Sequence, residues 1–193
     1  MRRVCVFCGS SEGRDPRYRE AAARLGRALV ARGLGLVFGG SGVGLMRVLA
    51  DTVLEESGSV VGVIPRGLVA REVAHRGLPD LRVVGSMHAR KALMAELSDS
   101  FLALPGGYGT FEELFEAVTW AQLGIHRKPL ALLNVAGYFD DLVRFLDHAV
   151  REGFVSPINR RLIAVGEEPE STLDLLAAYE APVTAAWITS EES

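Results

Sequence analysis

The stretch Ser100–Glu113, SFLALPGGYGTFEE, constrains the fold more than any other. Its apolar run Phe101–Leu104 has the length and content of a buried strand; it stops at Pro105-Gly106-Gly107, after which Thr110 and two carboxylates open an amphipathic helix. Glycines let the backbone come close to a ligand, and the first turn of a helix offers unpaired N–H groups and a positive dipole end suited to a phosphate. The same letters have an ordinary reading, because Thr110 and Glu113 are spaced as a capping box in which each satisfies the other's backbone donor. Gly106, Gly107 and Gly109 within four positions exceed what a simple turn needs, and the adjacent acids Glu112 and Glu113 stand beside them.

The rest of the chain repeats the alternation. Strands are expected at Arg3–Phe7, Leu34–Phe38, Val60–Ile64, Leu81–Val84, Pro129–Leu133 and Ile163–Val165. Helices are expected at Tyr18–Arg32 after an Asp15-Pro16 start, from GGSGVGLM to about Glu56, at Met87–Leu97, at Tyr138–Glu152, as a short turn over Ser156–Leu162, and at Ser171–Tyr179 with Ser171 as cap. Arg66–Pro79 has weak periodicity and reads as a long connection of the kind that forms binding loops. Strands alternating with helices of this length imply a single Rossmann-like α/β domain over residues 1–182, a doubly wound parallel sheet with helices on both faces, followed by a flexible tail at 183–193. Ligands on such sheets bind at the carboxyl ends of the strands, where the glycine turns fall.

With 193 residues, 49% hydrophobic and 23% charged, the chain suits one globular domain. A net charge of −3 with scattered arginines gives no stripe for nucleic acid and no basic face for a membrane. No apolar run approaches a bilayer span and VCVF runs straight into glycine, so a cytoplasmic protein is expected. Cys5 and Cys8 spell C-x-x-C, but an odd separation along a strand sends them to opposite faces and no second pair completes a metal site. His75, His88, His126 and His148 lie on separate elements, so no metal is expected.

PGGYGTFEE resembles the PGGxGTxxE signature of the LOG ("Lonely guy") proteins, the cytokinin riboside 5'-monophosphate phosphoribohydrolases, with the signature acid at Glu113. Gly39–Met46, Val63-Ile64-Pro65, Met87–Lys91 and Trp120–His126 followed by Lys128-Pro129 are similar to family landmarks in family order, from roughly Arg3 to Val165. The resemblance implies cleavage of the N-glycosidic bond of AMP or an N6-prenylated AMP, with Glu113 and Arg90 catalytic and no cofactor. Gly106, Gly107, Tyr108, Gly109 and Thr110 would hold the phosphate, helped by Ser10, Ser41 and Gly42. Glu112 and Glu72 would contact ribose or base, and Lys91 would be a nearby cation. Thr119 either faces the ligand or hydrogen-bonds back to its own helix. A homodimer is also implied, with Trp120, Leu123 and Ile125 near the shared face.

Three other chemistries compete with this reading. A dinucleotide fold needs G-x-G-x-x-G after the first strand, yet Cys8-Gly9-Ser10-Ser11-Glu12-Gly13 lacks it, Leu45 takes the third glycine position after the second strand, and Pro65 stands where an acid would grip the ribose. Lysine decarboxylation, a label attached to this family, needs a pyridoxal Schiff base, and the chain has only Lys91 and Lys128. A non-catalytic carrier of a nucleotide or of a phosphate-bearing cofactor such as molybdenum cofactor would use the same glycine turns. An N-glycosidic bond, in contrast, asks for what the chain offers: amides for phosphate, and a carboxylate near the ribose as positive charge grows there.

Overall fold

Strands that are apolar on both faces need cover on both, and that requirement sets the architecture. In the computed structural model, which describes residues 1–69 and 73–182, seven parallel strands form one sheet: β1 (Arg3–Phe7), β2 (Gly35–Phe38), β3 (Val60–Pro65), β4 (Asp80–Val84), β5 (Ser100–Ala103), β6 (Leu130–Leu133) and β7 (Ile163–Gly166). Their order is β4-β3-β2-β1-β5-β6-β7. The four residues of β2, of β5 and of β6 are all buried. The described helices are α1 (Pro16–Ala31), α2 (Gly44–Glu55), α3 (Arg66–Val69), α4 (Met87–Glu96), α5 (Tyr108–Leu123), α6 (Asp140–Arg151), α7 (Pro157–Arg160) and α8 (Pro169–Ala177).

The two faces carry separate cores. On one, Leu25 and Leu29 of α1, Leu49 and Val53 of α2 and Leu173 of α8 pack on Val4, Val6, Leu36 and Phe38. On the other, Met94 of α4, Leu114 and Ala117 of α5 and Leu146 of α6 pack on Cys5, Phe7, Val37 and Phe101. Period-two alternation along β1 thus divides Val4 and Val6 from Cys5 and Phe7. Cys5 and Cys8 fall in opposite cores as buried free thiols, as their spacing requires.

Most expected elements form within a residue or two of their sequence bounds, and Asp15 does cap α1, accepting from Arg17 N–H at 2.9 Å. Two expectations need correction. The connection after β3 holds an element, the single turn α3, and then pairs Ala74 with Ser41 in an antiparallel bridge. Helix α8 begins at Pro169 rather than Ser171, because proline presets the first helical φ; Ser171 falls inside, and its hydroxyl donates to the Glu168 carbonyl at 3.2 Å. The tail expected at 183–193 lies outside the described residues.

The chain steps outward from β1 to β4, then returns to place β5 on the other side of β1. The winding direction therefore reverses between β1 and β5, and a crevice opens beyond their carboxyl ends. The loops bordering it are tied together: Gly9 N–H donates to Pro105 O at 3.0 Å, and Leu45 N–H to Gly9 O at 3.0 Å.

Candidate active site

A cleft of about 350 Å³ occupies this crevice. The turn after β1 contributes Cys8 and Ser10, the turn after β2 contributes Gly39, Ser41 and Val43, α4 contributes Arg90, and α5 with its lead-in contributes Gly107, Tyr108, Gly109, Thr110 and Glu113. Met46, Leu68 and Val73 form an apolar wall. Met46 ends the Gly39–Met46 landmark, and Leu68 and Val73 belong to the connection read as a binding loop, but the sequence names none of the three as a site residue, since an aliphatic side chain carries no mark of cleft lining.

The ordinary reading of Thr110 and Glu113 is not what forms. Helix α5 begins two residues earlier, at Tyr108, with Gly107 as N-cap and no side chain capping it. Both residues therefore sit inside the helix and cannot make a capping box. The first intrahelical donor is Phe111 N–H, to Gly107 O at 3.1 Å. The N–H groups of Tyr108, Gly109 and Thr110 precede it at an end that no side chain among the described residues caps, and all three residues line the cleft. Gly106 must lack a side chain: a Cβ there would lie 2.7 Å from Thr110 Cβ and 2.9 Å from Gly9 N. Tyr138 O–H donates to the Gly106 carbonyl and holds the turn from outside.

Arg90 and Glu113 meet at the floor. Both are buried, and Arg90 Nη2 lies 3.6 Å from Glu113 Oε1 while donating to Gly39 O at 3.2 Å. A Cβ at Gly39 would collide with the same guanidinium nitrogen, so the backbone there is bare because Arg90 occupies the space. Among the described residues Arg90 Nε, a buried donor, has no partner. Burial pushes the Glu113 carboxyl up to about 7, with Arg90 pulling it back and Glu112 adding to the rise. Burial also raises the Cys8 thiol, so it stays neutral.

The other residues expected here divide. Ser10 and Ser41 line the cleft, although the Ser41 hydroxyl donates to Val73 O at 3.0 Å. The Gly42 N–H donates to the same carbonyl at 2.8 Å, so it is not free for a phosphate. Lys91 is buried, and its ammonium is held by Glu112 and Glu116. Glu112 is half-exposed on that ion pair. Thr119 hydrogen-bonds back to Phe115 O at 2.7 Å and lines a separate apolar hollow with Trp120, Leu123 and Ile125, so one chain alone does not bring it to the cleft. Glu72 lies outside the described residues.

Fold and site together define a Rossmann-like α/β protein with an anion-receptive cleft and a buried arginine–carboxylate pair at its switch point. A family model described as "Possible lysine decarboxylase" matches residues 46–176. The probable cytokinin riboside 5'-monophosphate phosphoribohydrolase LOGL5 of Oryza sativa subsp. japonica is 54% identical over 182 residues, 94% of this chain and 74% of that protein. Cytokinin riboside 5'-monophosphate phosphoribohydrolase LOG7 of Arabidopsis thaliana is 51% identical over 180 residues, 93% of this chain and 83% of its own. The chain belongs to the LOG family.

Among solved structures, the molybdenum cofactor binding protein of Rippkaea orientalis matches with a TM-score of 0.69 at 21% identity, over 92% of this chain and 97% of that one. The molybdenum cofactor carrier protein of Chlamydomonas reinhardtii matches at 0.68 and 20%, over 92% and 99%. At such identity the likeness speaks for the fold alone. The family description does not carry its chemistry with it: among the described residues no lysine lines the cleft to hold pyridoxal phosphate, Lys91 being paired with carboxylates and Lys128 donating to Ala95 O at 2.6 Å.

Proposed function

We propose that this protein is a nucleoside 5'-monophosphate phosphoribohydrolase, cleaving AMP or an N6-prenylated AMP to ribose 5-phosphate and the free base. The observation that carries the reading is the buried Arg90–Glu113 contact, set one turn from the uncapped amides of α5 in the same cleft. The phosphate lies on the N–H groups of Gly107 to Thr110 and the Ser10 hydroxyl, which leaves the sugar beside Glu113. As the C1'–N bond breaks, its electron pair leaves with the base and positive charge builds on the ribose ring. Ionised Glu113 stabilises that charge and takes a proton from the water whose oxygen bonds to C1'; the departing base takes up a proton from solvent, to which Glu113 releases its own. Arg90 donates hydrogen bonds to the ribose or the departing base and orients the carboxylate. The apolar wall of Val43, Met46, Leu68 and Val73 suits a purine. The two named relatives are phosphoribohydrolases by name, at 54% and 51% identity.

The working form is read as a homodimer closed over the apolar hollow of about 460 Å³ that holds Thr119 and Trp120. The compartment is read as the cytoplasm, consistent with the free thiols of Cys5 and Cys8. Among the described residues no helix is long and apolar enough to cross a membrane. Incubation with AMP and N6-prenylated AMP, followed by chromatography, is expected to yield free base and ribose 5-phosphate, with nucleosides lacking phosphate left intact. Glu113→Gln is expected to lower the rate about 10²–10⁴-fold while nucleotide binding persists. Binding by both proteins with turnover by neither would identify a carrier instead.

A further inference from the structure

Beside the Arg90–Glu113 contact lies a second group of charges that the reaction as described does not use. Consecutive residues of α4, Arg90 and Lys91, face three carboxylates of α5, Glu112, Glu113 and Glu116. The Lys91 ammonium donates to Glu112 and, at 2.9 Å, to Glu116 Oε1. Its side chain is 8% exposed, against 23% for Glu116 and 53% for Glu112, so the clamp closes toward the interior. A buried ammonium is costly unless it is compensated, and here two carboxylates compensate it. Glu116 follows Glu113 by three positions and shares its helix face. Three acids against two cations leave one negative charge in excess, and the carboxyl with least water is the one that takes up a proton. That carboxyl is Glu113.

We propose that Lys91 and Glu116 are positioning residues for Glu113: the ammonium clamped between Glu112 and Glu116 favours the ionised form of the neighbouring Glu113, and Glu116 favours the protonated one. The groups that face Glu113 are Arg90 and Lys91 from α4, Glu112 and Glu116 from its own helix, and the thiols of Cys5 and Cys8 from the β1 side. Burial holds both thiols neutral, so the balance at Glu113 is set first by its own burial and then by the four charged groups. Lys91 lowers the proton affinity of Glu113 and Glu116 raises it. Lys91 is thereby a partner of the protein's own acids rather than a ligand for substrate. Glu116 was not marked from sequence, although its three-residue spacing from the signature acid was available as a signal.

The inference rests on Glu113 as the reacting carboxylate, so its test reads the carboxyl both through catalysis and directly. The pH profile of kcat/KM for the better of AMP and N6-prenylated AMP is measured from pH 5.5 to 9 for wild type, Lys91→Met, Lys91→Arg and Glu116→Gln. In parallel, the Glu113 carboxyl is titrated by ¹³C NMR in the free enzyme and assigned by its loss in Glu113→Gln. Lys91→Met is expected to move both the acid limb and the titration up by about one pH unit, and Glu116→Gln to move them down by about half a unit. Lys91→Arg keeps them in place. A lost buried contact alone would lower the rate without moving the titration in opposite directions. Glu113 titrating at one pH in wild type, Lys91→Met and Glu116→Gln overturns the proposal, and Glu116→Gln, which removes no buried cation, gives that answer even if Lys91→Met fails to fold. Titration shifts as expected in a wild type that hydrolyses neither nucleotide would leave this coupling standing and overturn the catalytic reading alone.

Discussion

At the scale of single residues, the site holds its acid at a cost to stability. A carboxyl raised from 4.5 to about 7 binds its proton more tightly in the folded chain than in the unfolded one. Stability from this group is therefore fully present below its unfolded value and lost as the pH rises through about 7. By pH 8 the loss is on the order of 3 kcal/mol. Glu113→Gln removes the ionisable group, so its melting temperature is expected to exceed that of wild type at pH 8 and to converge with it near pH 5, as calorimetry across that range would read. A gap independent of pH would mean that Glu113 is not desolvated. The identity of this acid was legible in PGGYGTFEE; its burial was not. By sequence, Arg90 and Lys91 are as consistent with a solvated helix face as with a site; tertiary contacts bury them, Arg90 over the bare backbone of Gly39 and Lys91 between Glu112 and Glu116.

At the scale of elements, the joint between β5 and α5 is the working part. The sequence shows a strand, glycines and a helix, but where the helix begins decides whether its amides are spent on Thr110 and Glu113 or left open. It begins at Tyr108, and they are left open. The reason lies outside the segment: Gly106 packs against Gly9 of the neighbouring loop and beneath the Thr110 side chain, and that contact sets the turn. Gly106→Ala is accordingly expected to cost about 1–3 kcal/mol by denaturant unfolding. It should also weaken inhibition by ribose 5-phosphate, because backbone on the β1 side cannot move aside for the methyl group. Unchanged stability and inhibition would show that the two loops are not packed as described.

At the scale of the whole molecule, the described residues of one chain leave the hollow around Trp120, Leu123 and Ile125 open, where His126 is pushed down to about 4 by burial and by Lys128. If a second copy covers it, light scattering gives twice the mass of the chain and Trp120→Arg returns it to monomer; a wild-type monomer at micromolar concentration would reject the dimer. Such a cover would also decide whether Thr119, remote from the cleft in one chain, joins a site. What the sequence by itself determined is what repeats along it: apolar runs of strand length alternating with helical periodicity yield a doubly wound parallel sheet, and glycines after the strands mark its ligand-binding end. Tertiary structure alone decided which of those glycine turns adjoin, which charges are buried and which pair with one another. Strand order sets those distances, and strand order follows from how two apolar faces are covered at once, a global packing requirement that local spacing does not encode.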